Sequence, residues 1–567
     1  MDCPKNIENS ASQLFFQDKS SLEYEALVVV STLPHPQRAI LASFVLAAVD
    51  RESAAQYLLH ETSDRGSGSA TTHEFIADWI TLATNIRPTL ATGLDEEQKQ
   101  LLIQRDDGSC CFSQARDPAN RSDNLVPVSV VRSNLFDDLD MNPRRRRMLD
   151  VFLGADKVSE LRAALENDTE LSTKHLEQLL LISKQAFCLF QNGQLSLNAM
   201  RSHAGDAVSY IISSNYLMMQ TRPDWVSTDI VSFVDRTAGL AAPPNPLFIE
   251  VNHRFSKTLS WIQVAESMKA DLAKPSRSGL GFLDSPLSRP VLCMLQYALG
   301  RTPAIIRAYV CRSLTQIGHC LYGPTLSDRT HRLPFGLYLR VEEAKWGPRH
   351  QAEFESLRLV QRHTNIPAPR PVDTFQYGDN SYLIMTRVPG RPIGTVLPRM
   401  TDKQVQKATR DLSEYVAQLR SIPSRTFTGV RICNSLGRGI LDWRIGETQQ
   451  QELSFATVAE FHQHLTADYS KDLQDKAQRS HSKDYDIVFT HGDLNPRNIL
   501  ADENGTITGI VDWECSGWFP EYWEYTKAHF AVRYTIRWLA DVVDRLFTGY
   551  REELWVENML TDYGRFI

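Results

Sequence analysis

The 567-residue chain is too long for a single hydrophobic core, so at least two domains are expected. With 42% apolar and 23% charged residues, 28 Gly and 27 Pro, it is neither collagen-like nor wholly disordered. A formal net charge of −7 gives no support to nucleic-acid binding, which calls for a basic face.

In chain order, the N-terminal MDCPKNIENS lacks the basic-then-apolar order of a signal peptide. Gln37 to Leu59 carries apolar residues at helical spacing behind a proline, and His73 to Ala83 and Leu171 to Phe190 follow the same pattern. Between the first two, Ser63 to Thr72 is a Gly/Ser run that reads as a loop. Asn124 to Val131 and Leu247 to Val251 are strand candidates in this mostly helical part. The longest apolar run, Ala39 to Val49, ends at Asp50-Arg51-Glu52, far short of the ~20 residues of a membrane helix. Nine scattered cysteines, an odd number, fit reduced thiols. These features lead us to expect a cytoplasmic protein without a membrane partner. The basic run Arg144 to Arg147 leaves the nucleus open, although a solvated helix start is the simpler reading.

Lys274 to Pro290 is rich in Pro, Gly and Ser and marks a boundary. We expect an N-terminal domain over 1–285 and a second domain over 286–567. In the second, Leu333 to Val341 reads as a strand, Arg349 to Arg362 as a helix and Ser381 to Thr386 as a strand. Asp402 to Arg420 is a long amphipathic helix, Asp486 to Thr490 and Thr506 to Val511 are short strands, and Glu521 to Phe547 is helical. The fold class is therefore α+β, two-lobed, behind a mostly helical N-terminal domain.

The chemistry concentrates in Val488 to Glu514. HGDLNPRNIL places an acid and an amide as D-x-x-x-x-N after an apolar strand, and VDWE puts a second acid just beyond the next strand. Phosphoryl transfer needs one carboxylate to orient or deprotonate a hydroxyl, and hard oxygen donors to hold magnesium on nucleotide phosphates. On this reading Asp493 is the base, Asn498 and Asp512 are the metal ligands, and His491 braces the loop. Each element alone is weak, since an Asp after a strand is commonly a turn or cap residue; the ordered set is far more specific.

HGDLNPRNIL and GIVDWE, with RLPFGLYLR, EFESLRLVQRHTNIPAPRPVD, YLIMTRVPGRPIG and SGWFPEYWEY, resemble the aminoglycoside phosphotransferase and choline kinase group, in its filamentous-fungal version. The resemblance covers roughly Leu295 to the C-terminus. It implies a protein-kinase-like fold, ATP and Mg²⁺ as cofactors, and a small-molecule hydroxyl acceptor. It also implies that Gly323 lies in the phosphate-covering loop, that Glu353 pairs with a cation on the preceding strand, and that Met385 to Val388 form the hinge. Met385, Thr386 and Val388 would then meet adenine, and Glu514 would be a second acid near the metal. The strand position usually held by Lys is Arg340, and the two are not interchangeable at a bidentate site. Three readings follow: Arg340 binds phosphate, Lys345 replaces it, or nucleotide affinity is reduced. The function expected is ATP-dependent phosphorylation of a small-molecule hydroxyl, with a nucleotide-binding pseudokinase scaffold as the alternative. The signatures H-R-D, D-F-G and A-P-E of protein kinases are absent.

Residues 100–135 faintly resemble the start of HNH-type nuclease domains, but Asn124 stands near where the key His would fall. Nucleic acid is not favoured as a partner. A structural hairpin holding Cys110 and Cys111 is the plainer reading.

Overall fold

The computed structural model describes residues 21–62, 68–113, 124–166, 173–200, 208–215, 223, 225–227, 230–234, 236–271, 289–323, 329–424, 429–530 and 536–564. Backbone proximity divides the chain into two compact units, the first running to Lys274 and the second from Pro275 to Ile567.

The first unit is mainly helical. Helices Ser21–Ser31, Gln37–Leu46, Arg51–Thr62, Gly68–Ile86 and Pro246–Asp271 enclose a core in which Trp79 meets Phe44, Phe152 and Phe255 at ring distances of 5.0, 4.8 and 5.1 Å. Four sequence expectations need correction. Gln37 to Leu59 is two helices, because Asp50 turns the chain and its carboxylate accepts from the Glu52 and Ser53 amides. Leu171 to Phe190 breaks into a 3₁₀ turn, the strand Leu179–Ser183 and the helix Lys184–Gln191; its apolar run LLLIS is buried on both faces of a sheet. Leu247 to Val251 is not a strand but the first turn and a half of Pro246–Asp271, started by proline and by Asn245, whose side chain accepts from the Leu247 amide. The strand Leu125–Ser129 lies within Asn124 to Val131. In the Gly/Ser run, 63–67 lie outside the described residues and Gly68 onward is helix, so its second half is not a loop.

Arg144, Arg145 and Arg146 pair with Asp78 at 3.3 Å, Asp138 at 3.0 Å and Asp150 at 3.2 Å. Three of the four arginines of the basic run are thus paired with neighbouring acids. Buried Arg105 donates to the carbonyls of Leu176 and Leu179, both at 2.8 Å, and pairs with Asp106 at 2.7 Å. These bonds tie the HNH-like segment into the fold, while 114–123 lie outside the described residues.

The second unit is α+β. Its elements are α1 (Arg289–Arg301), α2 (Ala304–Tyr322), β1 (Thr330–Leu333), β2 (Leu337–Glu343), α3 (Gly347–His363), β3 (Pro371–Tyr377), β4 (Asn380–Thr386), β5 (Arg391–Pro392), α4 (Asp402–Arg420), β6 (Cys433–Asn434), α5 (Val458–Thr466), α6 (Lys471–His481), β7 (Ile487–Thr490), β8 (Ile499–Ala501), β9 (Ile507–Ile510), β10 (Gly517–Pro520), α7 (Trp523–His529) and α8 (Arg551–Gly564). The smaller lobe is an antiparallel sheet of order β1-β2-β4-β3. Side chains alternate across it. Leu337, Leu339 and Ile384 face α1 and α2, while Leu383 and Met385 join the core that includes Leu357 and Val360 of α3. The expected strand Leu333 to Val341 is a hairpin, because Phe335 (φ 64°) and Gly336 (φ 66°) turn the chain left-handed. The larger lobe carries two three-stranded sheets, β5-β8-β9 and β6-β10-β7. Helix α4 starts at a Thr401–Gln404 capping box and buries Val405, Ala408, Leu412, Val416 and Leu419 at helical spacing. Glu521 to Phe547 is not one helix: α7 ends at His529, 531–535 lie outside the described residues, and a π-helical turn occupies Leu539–Val543.

Candidate functional site

Two loops meet at the larger lobe's sheets. The first, 491–498, connects β7 to β8. Its entry is fixed by Glu524 of α7, whose carboxylate accepts from the amides of His491 (2.6 Å) and Gly492 (3.1 Å). His491 is fully buried; its Nδ1 accepts from the Asp493 amide at 3.2 Å, so Nε2 carries the proton and donates to Val511 O at 3.0 Å. Burial holds its pKa down at about 4, so it stays neutral, a brace rather than an acid. Gly492 has φ 77°, and a Cβ there would lie 2.4 Å from Cys515 O. Only glycine lets the two loops approach this closely.

Asp493 accepts from Asn495 Nδ2 (2.8 Å) at Oδ1 and from Asn498 Nδ2 (2.8 Å) at Oδ2. Burial raises its pKa, opposed by the Asn495 and Asn498 hydrogen bonds. Asn498 Nδ2 also donates to Asp493 O at 2.9 Å, so the amide is fixed as a donor to Asp493 and its oxygen is the end available to a cation. The D-x-x-x-x-N spacing therefore closes on itself.

The second loop follows β9. The Val511 amide donates to Asn498 O at 2.8 Å and locks it to the first. Asp512 is left-handed (φ 68°, ψ 64°), a conformation Asp tolerates better than most residues and one that marks functional turns. Its Oδ1 accepts from Arg340 Nη2 at 2.7 Å.

Arg340 is on β2, on the face that meets α3. Its Nη1 reaches Glu353 at 2.8 Å and Glu514 at 3.3 Å, so one guanidinium holds three carboxylates. Glu353 is 1% exposed and its carboxylate also accepts from the Trp513 amide. Burial opposes ionisation of Asp512, but the charge and hydrogen bond of Arg340 hold its pKa below the ordinary value. Burial, reinforced for Glu514 by the Asp512 charge, pushes Glu353 and Glu514 up. A lysine could not span this set from a single ammonium. Lys345 is 59% exposed and pairs with Glu343 at 2.7 Å.

Met385 to Val388 run from the end of β4 to β9. Met385 and Thr386 end β4, opposite Tyr338 and Leu337 of β2. The Thr386 amide donates to Arg370 O and the Arg387 amide to Gly336 O, tying this segment to the β1–β2 turn. Val388 packs on β9, where a Cβ on Gly509 would meet its Cγ1 at 2.3 Å. Gly323 caps the end of α2 instead of lying in the β1–β2 turn; Pro334-Phe335-Gly336 form that turn.

Two features escaped the sequence reading. Glu524 lies in EYWEY, where nothing separates it from neighbouring acids until α7 turns it toward the 491–498 loop. Lys527, on the same helix, is buried with Asp442 at 2.7 Å, and Asp442 also accepts from Trp523 Nε1 at 3.0 Å. Its charge opposes the rise of Asp493.

Asp493, Asn498, Asp512, Arg340, Glu353 and Glu514 thus form one connected set, and the donor set of Asn498 and Asp512, an amide and a carboxylate oxygen, suits a hard divalent cation. Residues 329–558 match the model of the phosphotransferase enzyme family, less than half of the chain. Similar solved structures include an aminoglycoside-3'-phosphotransferase of type VIII (20% identity, 42% of this chain and 90% of that one, TM-score 0.29). Others are an aminoglycoside phosphotransferase from Streptomyces rimosus (15%, 45% and 98%, TM-score 0.30) and a macrolide 2'-phosphotransferase from Brachybacterium faecium (16%, 45% and 91%, TM-score 0.27). No curated protein matches the chain.

Proposed function

We propose, from a C-terminal unit that carries a phosphotransferase-family domain over residues 329–558, that the protein transfers a phosphoryl group from Mg·ATP to a hydroxyl of a small molecule. The observation that carries this reading is the closed geometry of Asp493, Asn498 and Asp512 beside the Arg340 cluster.

Asn498 and Asp512 would hold magnesium, and the hinge at Met385, Thr386 and Val388 would hold adenine. Bound Mg·ATP would supply the γ-phosphoryl group, with ADP as the leaving group, and its magnesium would offset part of the phosphate charge. Every other contribution belongs to the chain. Asp493, fixed by two amide donors, orients the acceptor hydroxyl and takes its proton. Arg340 holds Glu353 and Asp512 in register and brings a permanent positive charge to the phosphates. Glu524 and His491 keep the loop rigid. Catalysis on this account is positioning and electrostatics.

The test is magnesium-dependent phosphate transfer from γ-labelled ATP to a panel of hydroxylated small molecules, with Asp493→Asn as the blank. Transfer that requires Asp493 supports the reading. A panel that includes polyamines, sugars and amino alcohols and gives no Asp493-dependent product, with nucleotide bound, contradicts it.

A further inference from the structure

We propose that the outer face of α1 and α2 binds an anionic lipid surface. Both helices pack one side on the β1-β2-β4-β3 sheet: Leu295, Leu299, Ala308, Cys311 and Leu314 join its core, and Gly318 approaches so closely that a Cβ would lie 2.0 Å from Arg332 O. The opposite side is solvent-exposed and rich in apolar residues, with the polar Ser313, Gln316 and His319 among them. Met294, Tyr297, Ile306, Tyr309, Ile317 and Leu321 are between 47% and 72% exposed. Single exposed apolar residues are ordinary, but a row along two adjacent helices marks a contact surface.

Charge selects the occupant. From Arg289 to Gly323 the sequence contains four arginines and not one Asp or Glu, in a chain of net charge −7. Arg307 is turned inward to Asp373 at 2.8 Å, whereas Arg301 and Arg312 are exposed. A second copy meeting this face through a two-fold axis would set arginine against arginine with no acid to pair them. Anionic headgroups complement these exposed cations. Arg301 stacks over Tyr297 at 3.6 Å, and Tyr297 and Tyr309 have the half-polar rings that favour the membrane–water boundary. Among the described residues no helix is long and apolar enough to cross a membrane, so the face lies on the surface. The expectation of no membrane partner rested on the lack of a spanning run, and the described residues contain none; the proposal concerns contact with a lipid surface alone. The Arg340 cluster occupies the other side of the sheet, so this inference stands apart from the catalytic reading.

The experiment is co-flotation of the full-length protein with vesicles of phosphatidylcholine alone or with about a third phosphatidylserine. Binding is expected only with phosphatidylserine, falling severalfold at about 0.5 M salt. The combined variant Met294→Glu, Tyr309→Glu, Ile317→Glu should lose roughly tenfold or more of that binding, since three added charges oppose both burial and the headgroups. Arg301→Ala with Arg312→Ala leaves the apolar row intact and should weaken binding to the anionic vesicles alone. Circular dichroism and melting temperature check that both fold. Absence of wild-type flotation, or equal flotation of all three proteins, overturns the proposal. So does a wild-type dimer in sedimentation that the Glu variant dissociates, or capture of a synthetic acidic amphipathic peptide in place of vesicles.

Discussion

At the scale of single residues, Asp493 and Arg340 carry distinct loads. Asp493→Asn keeps one of the two accepted hydrogen bonds, sets its new NH2 against the other amide donor and removes the proposed base, so kcat should fall by about 10²–10⁴-fold with nucleotide affinity little changed, read by steady-state kinetics and calorimetry. Because burial raises the Asp493 pKa, the acidic limb of the rate profile should lie above the range of a free aspartate. Arg340→Lys replaces a fork that spans Glu353, Asp512 and Glu514 with a point charge. We expect lower nucleotide affinity, by roughly tenfold, and a lower melting temperature. A gain in turnover in this variant would instead mark Arg340 as a defect at a lysine position. Glu524 adds a pH dependence. Its pKa in the folded protein is raised by burial to about 7, above its ordinary 4.5. Its contribution to stability is therefore fully present below about pH 4.5 and is lost as pH rises through about 7. His491 acts in the opposite sense, its contribution being present above 6.5 and lost as pH falls through about 4. Denaturant midpoints should show wild type losing stability relative to Glu524→Gln between about pH 5 and pH 8, and an unchanged difference would contradict the assignment.

At the scale of elements, the loops are joined by backbone as much as by side chains. Gly492→Ala must clear Cys515 O and adopt a positive φ, so a cost of about 2 kcal/mol or more is expected from urea unfolding, with kcat reduced in the folded fraction. The sequence shows these elements unevenly, for physical reasons. Asp402–Arg420 is legible because its cap and its 3.6-residue apolar period agree. HGDLNPRNIL and VDWE are legible because short strands and turns hold their spacing. Leu179–Ser183 and Leu247 to Val251 mislead because a short apolar run carries no period, and only its neighbours decide between strand and helix. Helices α1 and α2 pass unnoticed because apolar residues such as Met294, Tyr309 and Ile317 also lie on their exposed faces, which blurs the polar-apolar contrast of an ordinary surface helix. At the site, Asp493, Asn498 and Asp512 can be read from spacing, whereas Glu524 and Lys527 reach it only through the tertiary placement of α7.

At the scale of the whole molecule, each compact unit has its own core, one around Trp79 and Phe152 and one around Trp513, Trp518 and Trp538. Scanning calorimetry should therefore resolve two transitions, and Mg·ATP should raise only the one assigned to residues 275–567. A single transition that moves as a whole with nucleotide would show that the units unfold as one. The central claim is a magnesium nucleotide site on Asp512. It is tested most directly by titrating ATP into wild type and Asp512→Asn by isothermal calorimetry, with and without magnesium. The account predicts binding to wild type that requires magnesium and is lost or weakened at least tenfold by Asp512→Asn. No heat at millimolar ATP, or equal binding with and without Asp512, would contradict it.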